Sequence, residues 1–176
     1  MRIEREKTIA LVVDYQEKLV PAMQNQEQLI HNSCILLEGL KSLEVPMVVT
    51  QQYTKGLGMT VKEIAEAAGT EEYLDKIAFT AYDCVKWKLR GKKYVIVCGI
   101  ESHICVLQTV VDLKAAGYIP VLVADCVGSR KEGDKQVAIE RARQEGAIVT
   151  TYESLLFELL KVAGTDTSKT IQKLIR

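Results

Sequence analysis

Short runs of apolar, largely β-branched residues alternate along the chain with longer segments of mixed polarity. Runs of this length are too short for helices and predict strands that are buried on both faces of a sheet. A shorter run at residues 76–79 predicts one further strand, so we expect about six strands. The runs are Ile9–Val13, Pro46–Thr50, Lys76–Phe79, Tyr94–Cys98, Pro120–Ala124 and Ala147–Thr150.

Between these runs, apolar residues recur three or four positions apart, which is the spacing of an amphipathic helix. The pattern is visible from Leu29 to Leu43, from Cys105 to Leu113 and from Val137 to Ala142. Because parallel strands need crossover connections, and those connections are right-handed, alternating strands and helices predict a parallel sheet with helices on both faces. The predicted fold is a three-layer α/β/α domain with a six-stranded, mainly parallel, doubly wound (Rossmann-like) sheet.

The length of the chain favours one domain. A chain of 176 residues can bury one sizeable core and leaves little room for a second. No change of composition, repeat or low-complexity segment indicates a linker. We therefore predict a single domain over residues 1–176, in which the polar segment Gly164–Ser168 is a hinge and residues 162–176 form a C-terminal helical extension.

Composition narrows the choice of partner and compartment. The 23 Lys and Arg residues balance 23 Asp and Glu residues without long blocks of one sign, which favours a small-molecule substrate over nucleic acid. The N-terminal apolar run ends at Asp14 without a cleavage site, and no apolar stretch approaches the roughly 20 residues that cross a bilayer. Five cysteines without paired spacing indicate reduced thiols, so we expect a cytoplasmic protein with no membrane partner.

Reactive side chains follow several of the predicted strands. In doubly wound folds, ligands bind beyond the carboxyl ends of the strands, near the point where the strand order reverses. Asp14 follows the first strand, Lys76 belongs to the third and Cys105 follows the fourth. We therefore expect these three residues to gather at one edge of the sheet.

Cys105 lies in the stretch GIESHICV, residues 99–106, and differs from the other cysteines because it begins a helix after a strand and a glycine. A free thiol has a pKa of roughly 8.5, so a nucleophilic cysteine needs a local cause for thiolate formation. Ser102 as N-cap would place Cys105 at the positive end of a helix dipole, and a lysine would add a full charge. Asp14 could then accept the thiol proton and pass it to a leaving amine. Inert packing is the expectation for Cys34, Cys84, Cys98 and Cys126.

Two other readings of the polar residues have less support. A metal site would use His103 and Cys105 with His31 or Cys98, but this spacing matches no common zinc pattern. The glycines near residues 56–58 and 99 match neither a phosphate-binding loop nor a dinucleotide fingerprint. We predict no cofactor and no metal.

Three separated motifs, in this order, resemble the isochorismatase-like cysteine hydrolases. They are Asp14 with Gln16, the segment KIAFTAY that begins at Lys76, and GIESHICVLQTVVDLKAAGY from Gly99. The resemblance covers residues 8–161, and VVTQQYTKGLGMTV and IVTTYESLLFELL are most similar to the isochorismatase domain-containing branch.

The resemblance implies a catalytic triad of Asp14, Lys76 and Cys105. It also implies a cis peptide bond between Ile100 and Glu101, which would direct the Glu101 N–H, together with that of Cys105, at an oxyanion. The expected reaction is hydrolysis of a small amide through a thioester on Cys105. Nicotinamidases of this superfamily bind a metal through Asp and His residues after the second strand, and residues 51–58 here contain neither. Candidate substrate-binding residues flank the triad segments: Gln16, Tyr53, Phe79, Tyr82 and His103.

Relatives in this family commonly assemble, so we also expect a homo-oligomer, either a dimer or a tetramer. Three alternatives to an amide-cleaving enzyme stay open. The first is a thiol redox or electrophile sensor that uses a Cys105 of low pKa. The second is an isochorismatase-type ether hydrolase, and the third is an assembly module without catalytic activity.

Overall fold

Six strands form one sheet in the order β3-β2-β1-β4-β5-β6, and every neighbouring pair is parallel. The computed structural model describes residues 1–176. The strands are β1 (Thr8–Val13), β2 (Met47–Gln52), β3 (Leu74–Lys76), β4 (Tyr94–Ile100), β5 (Ile119–Gly128) and β6 (Ile148–Thr150).

Eight α-helices connect and cover the strands. Most of the chain between two strands is helical, as parallel crossovers require. The helices are α1 (Gln26–Ser42), α2 (Thr54–Leu57), α3 (Lys62–Ala68), α4 (Tyr82–Val85), α5 (Leu107–Ala115), α6 (Glu132–Gln144), α7 (Tyr152–Leu160) and α8 (Asp166–Ile175).

The sheet separates two apolar clusters. Side chains alternate between the faces of a strand, so Ala10 and Val12 of β1 pack with α1, α3, α7 and α8, whereas Leu11 and Val13 pack with α4, α5 and α6. The central strands β1 and β4 are buried throughout. This arrangement confirms the predicted three-layer α/β/α fold with its doubly wound sheet.

The strand order reverses between β1 and β4, which are neighbours in the sheet although far apart in the chain. Gly99, near the end of β4, pairs with Val13 at the end of β1. Gly99 has φ 134°, and a Cβ there would overlap the carbonyl oxygen of Val13. Only glycine allows this close approach, so the place where ligands bind in such folds depends on it.

The short strand β3 lies at Leu74–Lys76, so the strand predicted over residues 76–79 begins two residues earlier and ends three residues earlier than expected. Pairing with β2 ends where Gln52 meets Lys76. Beyond that point the backbone bends, and the carbonyl groups of Ala78 and Phe79 accept hydrogen bonds from the side chain of Lys76. Carbonyls that bind an ammonium group cannot continue a sheet.

The C-terminal segment packs on the domain itself. Helix α8 lies against α1 and α7, and its Ile171 is fully buried in the larger cluster. Thr165 caps this helix by accepting a hydrogen bond from the N–H of Ser168, so the helix already begins at Asp166 and includes half of the predicted hinge. No helix is long and apolar enough to cross a membrane.

Gly99→Ala tests the close approach of β1 and β4. We expect the substitution to lower the free energy of unfolding by more than about 2 kcal/mol, because both the positive φ and the contact with Val13 oppose a side chain. Gly133→Ala in α6 is the matched control, because a Cβ there meets nothing within 4 Å. It should be neutral or stabilising by up to about 1 kcal/mol. The free energy of unfolding of both variants can be measured with urea. Equal values for the two variants would contradict the role of Gly99.

Candidate active site

Asp14 and Lys76 form a buried ion pair at the carboxyl edge of the sheet. Lys76 Nζ lies 2.7 Å from Asp14 Oδ2, and both side chains are almost completely shielded from solvent. The second carboxylate oxygen, Oδ1, accepts a hydrogen bond of 2.8 Å from the hydroxyl of Thr50. Both oxygens therefore have a fixed neighbour, which sets the orientation of the carboxylate.

The ammonium group of Lys76 uses all of its protons within the chain. In addition to its ion pair with Asp14, it donates to Gln52 Oε1 at 2.7 Å, to the carbonyl of Phe79 at 2.8 Å and to that of Ala78 at 3.3 Å. A lysine has three N–H donors, so none is left for a ligand. Lys76 can therefore contribute its charge and its hold on Asp14, but no further hydrogen bond.

Cys105 lies beside this pair, on a short π-helical turn (Ser102–Val106) that leads into α5. It is 6% exposed. Burial raises the pKa of the thiol to about 12, the Asp14 carboxylate adds to the rise, and the Lys76 ammonium opposes it. The expectation of a thiol with a lowered pKa is therefore wrong, because loss of hydration outweighs the nearby lysine and helix terminus.

Burial also raises the pKa of the Asp14 carboxyl. The Lys76 ammonium, the hydrogen bond from Thr50 and the nearby thiol of Cys105 oppose that rise. Asp14 and the thiol of Cys105 thus lie near enough to affect each other's pKa, and both are less acidic than in water. A proton that leaves the sulfur has an acceptor next to it.

Ser102 does not cap the helix, so that prediction is also wrong. Glu101 occupies the N-cap position, and no side chain caps this turn. Instead the carbonyl of Glu101 accepts from the N–H groups of Ile104 and Val106. The hydroxyl of Ser102 is buried and has no hydrogen-bond partner.

The loop before Cys105 is tied to the segment that follows β5. The peptide bond between Ile100 and Glu101 is cis. The N–H of Glu101 donates to no acceptor in the chain. The carboxylate oxygen Oε2 of Glu101 accepts two hydrogen bonds from Arg130, one from its backbone N–H at 3.3 Å and one from its Nε at 3.0 Å.

His103 and Gln16 are committed to partners within the chain. His103 Nδ1 lies 2.9 Å from the hydroxyl of Ser129. The buried amide of Gln16 bonds to the backbone of Gln52 in both directions and to the carbonyl of Gly58. Gln16 therefore ties β1 to the loop after β2, and its amide presents nothing towards a ligand.

Three aromatic residues lie in the segments that flank the site. Tyr53 and Phe79 are 50% and 53% exposed, and Tyr82 is half-buried against the smaller apolar cluster. The N–H of Ala81 bonds to the hydroxyl of Thr109, which itself donates to the carbonyl of Cys105. The loop that carries Phe79 is thus fastened to the helix of the cysteine.

Three residues that hold the site were missed from the sequence: Thr50, Gln52 and Arg130. Thr50 and Gln52 could have been found as polar residues at the end of an otherwise apolar strand, where the topology places ligand-binding groups. Nothing in the sequence around Arg130 distinguishes it from other surface arginines.

Among the remaining cysteines, burial raises the pKa of Cys98 to about 12 and that of Cys34 to about 11. No three His, Cys, Asp or Glu side chains are grouped so that they could hold a metal ion.

Comparison with known proteins places these features in a family. A family model described as the isochorismatase domain matches residues 8–154. The chain is 35% identical over 178 residues to isochorismatase domain-containing protein 2A of Mus musculus, a match that covers 99% of this chain and 85% of that protein. A solved structure described as the MAR1 ribonuclease of Caenorhabditis elegans has a TM-score of 0.93 and 35% identity, and the match covers 99% of this chain and 92% of that one.

A second solved structure has the same fold at lower identity. It is the product of the ycaC gene of Escherichia coli, described as an octameric hydrolase of unknown specificity. The TM-score is 0.90 at 23% identity, and the match covers 99% of this chain and 90% of that one.

Proposed function

This chain belongs to the isochorismatase family, and we propose that it is a hydrolase whose Cys105 cleaves a small amide-type C–N bond through a covalent acyl-enzyme. Hydrolysis is the class of reaction that the family indicates. The observation that carries the finer proposal is that a buried thiol and a buried, ion-paired carboxylate lie close enough for each to shift the pKa of the other. We assign Cys105 as nucleophile, Asp14 as proton carrier and Lys76 as the cation that holds the charge of the site.

Charge balance explains why the proton must stay within the site. With Asp14 ionised and Lys76 protonated, the buried pair is neutral and the thiol beside it is neutral too. Loss of the thiol proton to water would leave a net negative charge in a shielded place, which is why the pKa of Cys105 is raised. Transfer of the same proton to Asp14 leaves the total charge unchanged. The thiolate is then formed during attack and not before it.

Acylation follows from that transfer. The sulfur of Cys105 bonds to the carbonyl carbon as Asp14 takes the thiol proton, and the carbonyl π electrons move to oxygen. When the oxyanion collapses, the C–N bond breaks and Asp14 returns the proton to the leaving ammonia or amine.

Hydrolysis of the thioester repeats the steps with water. Asp14 takes a proton from water as the oxygen attacks the acyl carbon, and it returns that proton to the sulfur as the C–S bond breaks. The products are a carboxylic acid and the original thiol, so no external oxidant, reductant or cofactor is needed.

The oxyanion that forms in acylation and again in thioester hydrolysis needs hydrogen-bond donors that are not already engaged. Lys76 has none left, because its three protons bind Gln52, Ala78 and Phe79. The N–H of Glu101 donates to nothing within the chain and lies in the loop before the nucleophile. We assign this N–H and that of Cys105 as the oxyanion hole.

The substrate is proposed to be compact and neutral. The reactive groups are deeply buried, and the only charges next to the thiol are those of Asp14 and Lys76, which cancel. Tyr53, Phe79 and Tyr82 are the proposed lining of the entrance, with His103 at its border. Gln16 belongs to the framework of this entrance and not to its lining.

The alternatives have less physical support. A thiol sensor needs a thiolate at rest, whereas burial and Asp14 raise the pKa of Cys105 far above neutrality. An ether hydrolase of the isochorismatase type needs no cysteine and leaves Cys105 beside Asp14 without a use. RNA cleavage, which is the activity in the description of the C. elegans relative, would need cationic groups for phosphates, and the donors of Lys76 are all engaged within the chain.

The first prediction concerns the acyl-enzyme. When the protein is incubated with a panel of small amides and N-carbamoyl compounds, we expect ammonia release and an acyl adduct on Cys105 in intact-mass spectra. Cys105→Ser should lower turnover by about three orders of magnitude or more. Asp14→Asn should lower it by about 10²- to 10⁴-fold.

Cys34→Ser is the matched control. Cys34 is half-buried, and its thiol donates to the carbonyl of Glu63, which is not part of the triad. It should leave turnover unchanged. Absence of both adduct and ammonia with every member of the panel would contradict the proposal. So would cleavage of an ether or of RNA that survives Cys105→Ser.

The second prediction is the pH dependence of Cys105 alkylation by iodoacetamide. The rate should rise as Asp14 ionises, because the carboxylate then accepts the thiol proton. Since burial raises the pKa of Asp14 above its ordinary value of about 3.9, the midpoint of this rise should lie above pH 4. The rate should then stay level through neutral pH. Intact-mass labelling rates between pH 4 and 9 measure this profile.

In Asp14→Asn that rise should disappear. A midpoint near pH 8.5, as in an ordinary thiol, unaltered by Asp14→Asn, would show that Asp14 is not the proton acceptor.

The third prediction is self-association. Ile77 and Trp87 expose large apolar side chains around the loop after β3, and the E. coli structure of the same fold is octameric. We propose that copies of this chain cover these residues in a homo-oligomer. Native mass spectrometry should give a multiple of the 19.6 kDa chain mass, and Trp87→Glu should shift it towards the monomer. A monomer at micromolar concentration would contradict the proposal.

A further inference from the structure

The carboxylate of Glu101 is shielded although the residue sits in the loop before the nucleophile. Its side chain is 10% exposed, whereas the side chain of Arg130 that it binds is 60% exposed. A shielded carboxylate is unfavourable unless it is paired and hydrogen-bonded. Here Oε2 receives both the guanidinium Nε and the backbone N–H of Arg130. The side chain is therefore anchored at one end by the segment that follows β5.

A second contact joins the same two segments. His103 Nδ1 lies 2.9 Å from the hydroxyl of Ser129, the residue before Arg130. The carbonyl of Ser129 in turn accepts from the N–H of Gln24. Residues 129–130 thus connect the loop of Glu101 to the segment before α1.

The other end of Glu101 carries the unengaged N–H. This N–H has no acceptor in the chain, so no hydrogen bond of its own fixes its direction. The next residue, Ser102, has a buried hydroxyl that is also without a partner and holds nothing in place. The polar side-chain contact that restrains residue 101 is therefore the one with Arg130.

We propose that Glu101 and Arg130 form a brace that positions the Glu101 N–H for the oxyanion. The inference rests on the proposed function, since it needs an acyl transfer at Cys105. Glu101 and Arg130 act as positioning residues through their side chains. The carboxylate of Glu101 therefore has a structural partner in Arg130 and is not the group that selects the substrate.

The test compares two small neutral reagents that modify Cys105 in different ways. S-methyl thioacetate transfers its acetyl group through a tetrahedral oxyanion. This oxyanion forms when Cys105 adds to the carbonyl carbon and Asp14 takes the thiol proton. When it collapses, the carbon–sulfur bond to the methylthio group breaks, and Asp14 returns the proton so that methanethiol leaves. Iodoacetamide alkylates the thiol by displacement of iodide, without an oxyanion on the reacting carbon. The ratio of the two rates therefore reports on the oxyanion hole and not on the nucleophile.

Arg130→Met removes the guanidinium and keeps an apolar stem, and Glu101→Gln removes the charge. For both variants we expect methanethiol release to slow by about 10- to 100-fold, as a misplacement of about 1 Å would cause. Alkylation by iodoacetamide should stay within about twofold. In the double variant the loss should equal that of one single variant, because one brace is broken only once. Arg130→Lys should recover part of the lost rate, because it restores the charge but not the planar group.

Arg141→Met is the matched control. It breaks the pair of Arg141 with Glu145 on the surface of α6, where Nε and Oε1 are 3.6 Å apart, and it should change neither rate. Equal losses with both reagents would indicate general disorder of the site and overturn the brace, as would variants that match the wild type. A wild-type Cys105 that is alkylated but never acetylated would instead overturn the acyl-transfer function itself.

Discussion

The neutral ion pair of Asp14 and Lys76 is the constraint on which the site depends. Two opposite charges sit beyond the reach of water, where each alone would be strongly unfavourable. Their neutrality allows a thiol to lie beside them without being ionised. It also means that a proton can move from the sulfur of Cys105 to the carboxylate of Asp14 without changing the net charge of the site. The chemistry proposed for Cys105 thus follows from the unfavourable free energy of a net charge in this shielded site.

The topology explains how such a pair can be assembled. Asp14 directly follows β1, Lys76 is the last residue of β3, and the strand between them is β2. The lysine side chain spans the end of this intervening strand, so Thr50 and Gln52 of β2 lie beside the pair and bind its two members. Because β1 and β3 are two strand spacings apart, about 9.6 Å in all, only a long side chain such as that of lysine can reach across and meet the carboxylate. The polar end of an apolar strand is therefore part of the machinery.

Periodicity along the chain was enough to predict the layers and the parallel sheet, because buried strands and amphipathic helices are local patterns. The same topology predicts that Asp14, Lys76 and Cys105 lie at one edge of the sheet. The end of β3 could not be predicted locally, since the carbonyls of Ala78 and Phe79 leave the sheet to bind Lys76. The capping role expected for Ser102 fails for a related reason, because the turn before α5 is π-helical and is satisfied by the backbone of Glu101.

The pKa of Cys105 shows most clearly what sequence reasoning lacks. A helix start and a lysine are visible in the sequence and both favour a thiolate, yet the depth of burial decides the sign and appears only in the folded chain. Arg130 was missed for the same reason, because its partner Glu101 is 29 positions away. Interactions between distant segments determine both the electrostatics of the site and the rigidity of its loop.

These contacts also separate catalysis from recognition in the proposed enzyme. The side chains of Lys76, Gln52 and Gln16 all donate to acceptors within the chain, and the carboxylate of Glu101 accepts from Arg130. Such groups can hold a reaction centre steady but cannot distinguish one small amide from another. Discrimination then falls to the side chains at the border, among which Tyr53 and Phe79 are half exposed. Apolar borders select by shape and size, with only modest free-energy differences per methylene group, so the centre could stay unchanged while substitutions at the border alter the substrate.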